Sequence, residues 1–309
     1  MENYLVTFCI CTYNRNKGLV DLLNSINNIY LPEDINFREI NVVIVDNYDG
    51  MSKNFIENYK FNIKWDYEPK KGLCYARNRT VELAVNTEYC LFVDDDQIID
   101  HNCVFELLQT ALKQNADLVY GSNPPKFIKE TSSAIEYYFQ PKINLNEDYL
   151  INYAPTNCTL VKKSALNDVA GPFDLTFNLT GGEDSYMTRQ LSLKGKVLYK
   201  CVKAKAYEII PVDRCTLSWI TKRAFRCSTS VTIQDRMLKL GLFYYTKRSI
   251  KAIIKILIGI ITLLPMIFMP NTFKFKYYFW IHMVEGLGHL FGFFNVHPKE
   301  YNKIIENEK

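Results

Sequence analysis

Three short runs constrain this chain more than any other feature. Leu5–Thr12 (LVTFCICT), Ile40–Val45 (INVVIV) and Tyr89–Val93 (YCLFV) are apolar without alternation, and each stops abruptly at polar residues. A strand with one wet face alternates, whereas a continuous apolar run is buried on both faces. Between these runs, Gly18–Ile29 sets Leu19, Leu22, Leu23 and Ile26 at helical spacing, and Leu73–Val85 and His101–Gln114 read as further helices. Ile63–Tyr67 and Asp117–Tyr120 add short strands. Strands alternating with helices predict an α/β fold whose mostly parallel central sheet is covered on both faces. Ligands of such sheets bind beyond the carboxyl ends of the strands. Thr12, Asp46 and Asp94 sit at those ends and are candidates to share one crevice.

The third run ends in Asp94-Asp95-Asp96. Three adjacent carboxylates repel one another unless positive charge lies nearby. Hard oxygen ligands suit Mg²⁺ or Mn²⁺, and in extended chain Asp94 and Asp96 would point to one side about 7 Å apart. A solvated acidic turn is the competing reading.

The 309 residues, 48% hydrophobic, can bury a full core and allow one large domain with an addition, or two domains. A net charge of +4 implies no nucleic-acid partner. Nine cysteines without a CxxC, and only four histidines, argue against a zinc site and for reduced thiols in a cytoplasmic setting. Met1–Arg15 does not read as a signal peptide.

Ser122–Pro155 is irregular; Asn157–Val161, Val197–Cys201 and Ala206–Glu208 read as strands. Gly181-Gly182-Glu183-Asp184 leads into a helix, Ser185–Leu193, where an acidic pair either caps the helix or does chemistry. A basic helix, Leu217–Ser228, follows. Ile250–Met269 is then almost wholly apolar, and Tyr277–Phe294 is aromatic-rich with His282, Glu285 and His289 along one helical stripe. This predicts a C-terminal helical membrane-associating region. A spanning hairpin, two helices lying in the interface, and a soluble helical hairpin are the arrangements compatible with it.

Six stretches, FCICTYNR, VVIVDN, GLCYARNRTVELA, YCLFVDDD, TGGEDSYMTRQL and AYEIIPVDRCTLSWITKRAFR, occur in family order. Through them the chain resembles the family 2 glycosyltransferases of GT-A nucleotide-sugar-binding fold, most nearly bacterial exopolysaccharide glucosyltransferases of the succinoglycan type. The resemblance implies a catalytic domain over residues 1–230 and a membrane-associating region over 231–309. It implies an inverting, metal-dependent hexosyltransferase that moves a sugar, glucose as the leading guess, from a UDP-sugar to a glycan or lipid-linked oligosaccharide at the cytoplasmic face of the cell membrane. Asp96 then matches the metal ligand, with Asp94 or Asp95 serving the metal or the ribose. Asp184 matches the base, and Glu183 orients the acceptor or its loop. Thr12 and Asp46 match base-binding positions, and Arg77 one that contacts base or diphosphate. Arg223 and Arg226 are candidates for the diphosphate, their alternative being a solvated basic face. Related enzymes often carry a His where Ala206-Tyr207-Glu208 stands and a Gly where Ser228 stands, which leaves the role of Glu208 open. A membrane-associated nucleotide-sugar binding protein without turnover is the alternative, but such a binder has no need of a base.

Overall fold

The structure, a computed structural model, describes residues 4–33, 35, 37–48, 59–140, 147–169, 171–270, 272–296 and 298. In chain order these form β1 (Tyr4–Thr12), α1 (Asn16–Ile26), β2 (Ile40–Asp46), β3 (Asn62–Tyr67), α2 (Leu73–Leu83), β4 (Thr87–Asp94), β5 (Gln97–Ile99) and α3 (Cys103–Lys113). There follow β6 (Leu118–Ser122), β7 (Pro125–Phe127), α4 (Ser133–Phe139), β8 (Tyr149–Leu150), β9 (Thr159–Lys162), α5 (Lys163–Asn167), α6 (Glu183–Leu193) and β10 (Leu198–Ile210). Three helices end the described chain: α7 (Leu217–Met237), α8 (Leu242–Phe268) and α9 (Tyr278–Phe293). Two compact units emerge, one of Met1–Pro124, Ile143–Leu179 and Glu183–Ile209, the other of Pro125–Lys142, Thr180–Gly182 and Ile210–Lys309.

The first unit is a mixed α/β layer built on the sheet order β3-β2-β1-β4-β9-β6-β10-β5. β1 pairs in parallel with β2 and β4, β2 with β3, and β6 with β10. β2 is buried at every position, as its unbroken apolar run requires. The stripe Leu19, Leu22, Leu23 and Ile26 of α1 packs with Phe8, Ile10, Val42, Ile44 and Leu91, while Ala76 of α2 packs with Val43 and Val45. The alternate residues of β2 thus feed two cores. β3 is an edge strand, and all its residues are exposed or half-exposed.

Two features depart from the expected parallel pattern. β9 lies antiparallel between β4 and β6. Val197–Cys201 and Ala206–Glu208, read as separate strands, are parts of the single strand β10, whose register shifts between Lys200 and Lys205. That shift lets one strand pair parallel with β6 and then antiparallel with β5.

The second unit has its own core, in which Ile135 of α4 packs with Ile220 and Ala224 of α7 and Ile281 and Val284 of α9. α7 runs unbroken from Leu217 to Met237. α8 begins at Leu242, eight residues before the apolar run, and is long and apolar enough to cross a membrane.

Candidate active site

Register brings the strand ends together. Thr12 is paired with Asp46, and its neighbour Cys11 with Asp94. Beyond Asp94 the strand ends in a turn, so the extended geometry expected across the triplet stops there. The three carboxylates divide between two cations. Asp95 turns inward, accepts from Thr12 Oγ1 at 2.8 Å and from Arg15 at 3.0 Å, and is 5% exposed. Asp96 accepts from the same Arg15 nitrogen at 3.3 Å. Asp94 pairs instead with Arg77 Nη2 at 3.2 Å. Burial lifts the Asp95 carboxyl to about 6 against the opposing pull of Arg15. Gly18 is required at the head of α1, since a Cβ there would lie 2.5 Å from the Asp95 carbonyl oxygen.

Arg77, expected at the nucleotide, lies buried on α2 as a bridge, holding Asp94 with one nitrogen and Glu183 with the other. Its position follows from how α2 is pinned. Asn178 Oδ1 accepts from Cys74 N at 3.0 Å, and Asn178 Nδ2 donates to the Lys71 carbonyl at 3.0 Å. Gly72, at φ +125°, leaves the room that Asn178 fills. Asn78 exchanges two hydrogen bonds with the Phe173 backbone. α2 is thereby fixed between the end of β4 and the start of α6.

Glu183 opens α6, two residues earlier than the expected helix start, and is 2% exposed. Its Oε1 takes Arg77, and its Oε2 is buried with no hydrogen-bond partner among the described residues. Burial pushes this carboxyl up to about 7, with Arg77 opposing and Asp184 adding to the rise. Burial pulls the Arg77 guanidinium down, and Glu183 and Asp94 more than reverse it. Asp184 is half-buried and accepts from Ser185 N–H at 2.6 Å, which orients its carboxylate on the first turn of the helix.

Several groups beside the strand ends were absent from the sequence reading. Asp46 Oδ1 accepts from Tyr48 N–H at 2.8 Å, and the rings of Tyr13 and Tyr48 meet edge to face at 5.3 Å. Lys71 Nζ lies 5.6 Å from the Tyr13 ring centre and donates to the Asn47 carbonyl at 3.0 Å. Asn47 Nδ2 donates to the Glu68 and Lys70 carbonyls at 2.7 and 2.9 Å and its Oδ1 accepts from Gly72 N–H at 2.8 Å, binding the end of β2 to the loop before α2. The pairing of a Tyr after β1 with one after β2 was the available signal. Arg15 stood out in the sequence only as the last residue of the stretch FCICTYNR.

In the second unit, Arg226 donates to the Thr180 carbonyl at 3.0 Å, and the Arg223 guanidinium lies 5.1 Å from the Trp219 ring centre. Ser228 is buried against Gly288.

The donor set at β4 suits a divalent cation of the Mg²⁺ class. Asp94 and Asp96 are hard carboxylates whose side chains are 41% and 22% exposed. Among the described residues no group of three or more His, Cys, Asp or Glu gathers in ligand geometry. Such a cation is commonly held by one or two carboxylates with substrate phosphates and water completing its shell. Two partly exposed carboxylates meet that requirement.

Residues 7–170 match the sequence profile of "Glycosyl transferase family 2". The chain is 24% identical over 237 residues to "Succinoglycan biosynthesis protein ExoM" of Rhizobium meliloti, covering 73% of each protein. It is 38% identical over 122 residues to "Abequosyltransferase RfbV" of Salmonella typhimurium, covering 37% of this chain and 34% of that one. Among solved structures, TarS 1–349 of S. aureus superposes with TM-score 0.53 at 18% identity, over 74% of this chain and 65% of that one. Its complex with UDP-GlcNAc superposes with TM-score 0.53 at 17% identity, over 74% and 66%. The chain thus spans just under two thirds of those solved chains, and at such identities the likeness concerns the fold.

Proposed function

The chain belongs to glycosyl transferase family 2, and from that premise we propose that it is an inverting transferase moving a hexose from a UDP-sugar to a hydroxyl of a glycan or lipid-linked oligosaccharide. One observation carries this reading. Arg77 joins Asp94 at the end of β4 to Glu183 at the head of α6, so the acidic strand end and Asp184 belong to one charged cluster. Donor and base chemistry need that adjacency. The solved UDP-GlcNAc complex of a fold relative supports a uridine diphosphate donor. Exopolysaccharide and abequosyl-transfer relatives support a surface-glycan acceptor.

Asp184 takes the proton from the acceptor hydroxyl as its oxygen attacks the anomeric carbon from the face opposite the leaving diphosphate. Glu183, held by Arg77, positions the first turn of α6 and hence that base. Thr12 and Asp46 line the uridine side, with Tyr13 and Tyr48 beside them. Asp96 and Asp94 would hold a divalent cation, which when bound supplies Lewis-acid charge to the departing diphosphate. Arg223 and Arg226 are proposed diphosphate contacts. Membrane attachment through the C-terminal helices would keep the enzyme at the cytoplasmic face, where a lipid-linked acceptor is presented.

The test is transfer by purified protein across a panel of nucleotide sugars, with and without Mn²⁺, alongside calorimetry of UDP, GDP and CDP. UDP-sugar turnover is expected, with UDP-glucose first. Tighter binding of GDP or CDP than UDP would overturn the donor assignment, and donor binding without turnover would return the chain to the class of nucleotide-sugar binders.

A further inference from the structure

The packing of the second unit bears on how its apolar helix can meet a bilayer. α9 is packed along its length on α7. Trp280 Nε1 donates to Thr221 Oγ1 at 2.9 Å, and Arg236 donates to the Phe293 carbonyl at 3.1 Å. Gly288 and Gly292 let the helices close up, since a Cβ on either would lie 2.5–2.8 Å from the carbonyl oxygen of Phe225 or Thr229. α8 runs antiparallel against α9. Gly259 abuts Met283, Gly286 abuts the Ala252 carbonyl, and Lys255 pairs with Glu285 at 2.7 Å. Arg248 of α8 forms an ion pair with the fully buried Asp235 of α7. One stripe of α8, Arg248, Ala252, Lys255 and Gly259, therefore faces its neighbours. The other face is exposed and apolar, with Ile253 48%, Leu257 54%, Ile261 74%, Leu264 66% and Phe268 80% exposed.

A spanning hairpin conflicts with this packing. α7 carries Lys222, Arg223, Arg226, Asp235 and Arg236, and each such charge at the centre of a spanning helix costs about 2.5–3.5 kcal/mol. α9 is packed on α7, and α8 is tied to both by ion pairs. A hairpin through the bilayer would also carry Lys274 and Lys276, in the link between α8 and α9, to the far side. Lys247 and Lys251 are exposed near the other end of α8, beside its apolar face. An apolar face set opposite a face that carries Arg248 and Lys255, with further lysines beside it, is the pattern of a helix lying in a headgroup layer.

We propose that α8 is an in-plane anchor. Its outward face, Ile253 to Phe268, sinks into one leaflet, and Lys247, Lys251, Lys274 and Lys276 meet anionic headgroups on the same side. The occupant of this face is an anionic lipid surface. The inference rests on the membrane attachment proposed above and specifies its geometry.

Flotation of the full chain with phosphatidylcholine vesicles, with and without phosphatidylglycerol, reads the lipid preference. Binding about tenfold or more tighter to the anionic vesicles is expected. Leu257→Asp with Leu264→Asp should abolish flotation while leaving UDP affinity unchanged, because both side chains are exposed on α8 and neither is among the residues proposed to contact the nucleotide. In membrane vesicles of expressing cells, Lys274→Cys, made with and without Cys227→Ser, is labelled with an impermeant maleimide; Cys227 on α7 is exposed and serves as the reference. Labelling of both thiols from one face supports the in-plane anchor. Labelling of Cys227 and position 274 from opposite faces overturns it in favour of a spanning hairpin, with membrane attachment retained. Absence of flotation on either lipid overturns the anchor together with the attachment it rests on.

Discussion

Replacing Arg77 by Met tests the central cluster most directly. Arg77 and Glu183 are both buried and paired through Oε1, and Glu183 Oε2 has no hydrogen-bond partner among the described residues. Removing the guanidinium strips the buried Glu183 carboxylate of its charged partner. Breaking a buried pair by deleting one member costs about 3–5 kcal/mol, because an uncompensated charge is left behind. The second contact adds little: the Asp94 side chain is 41% exposed, and pairs so open to water are worth about 0–1 kcal/mol. The expected loss for Arg77→Met is therefore about 3–5 kcal/mol, carried by Glu183. The double variant Arg77→Met with Glu183→Gln exchanges the buried charge for a neutral amide and should recover most of that loss. Denaturant unfolding of both single variants and the double closes the cycle. A loss under about 1 kcal/mol for Arg77→Met, or no recovery in the double variant, would refute the view that this pair is buried and mutually dependent.

Asp184→Asn keeps the oxygen that accepts from Ser185 but cannot take a proton, so kcat should fall by about 10²–10⁴-fold with donor affinity unchanged; weakened donor binding at normal kcat would place the base elsewhere. Asp96→Ala should abolish transfer while changing stability by less than about 1 kcal/mol, since its pairing with Arg15 is partly exposed; full activity of that variant in a chelator would refute the metal assignment. Gly72→Ala places a Cβ 2.1 Å from the Asn178 side chain at a backbone of φ +125° and should cost about 1–3 kcal/mol by thermal denaturation. Gly195→Ala, at φ +78° with open space around it, reports the backbone strain alone, and an equal loss there would remove the steric argument. Burial pushes Lys200 down to about 8, where its ammonium donates to the Gly121 carbonyl and lies 3.8 Å from the Tyr120 ring centre. Between pH 8 and the unfolded value of about 10.4 the unfolded chain binds more protons at this site, so stability should rise with pH across that window. Lys200→Met should flatten the rise, and an unchanged slope would show that another group titrates.

Much of the first unit was legible in the chain itself. The runs LVTFCICT, INVVIV and YCLFV became β1, β2 and β4, and Leu19, Leu22, Leu23 and Ile26 formed the buried stripe of α1. These patterns are local: side-chain period follows from backbone geometry within a turn or a strand. The grouping of Thr12, Asp46 and Asp94 at strand ends followed from the parallel arrangement. Strand order was not local, so β9 entering antiparallel between β4 and β6 was not foreseen, nor was the continuity of β10 across its register shift. The partners of the acids likewise depended on the assembled sheet. Arg15 reaches Asp95 across 80 residues and Arg77 reaches Glu183 across 106, and no spacing in the sequence announces such a pair. In the C-terminal helices, composition determined that an apolar surface exists. Which face of α8 carries it was decided by Arg248, Lys255 and Gly259 meeting α7 and α9, because an ion pair and a close glycine contact orient a helix only once its partners are in place.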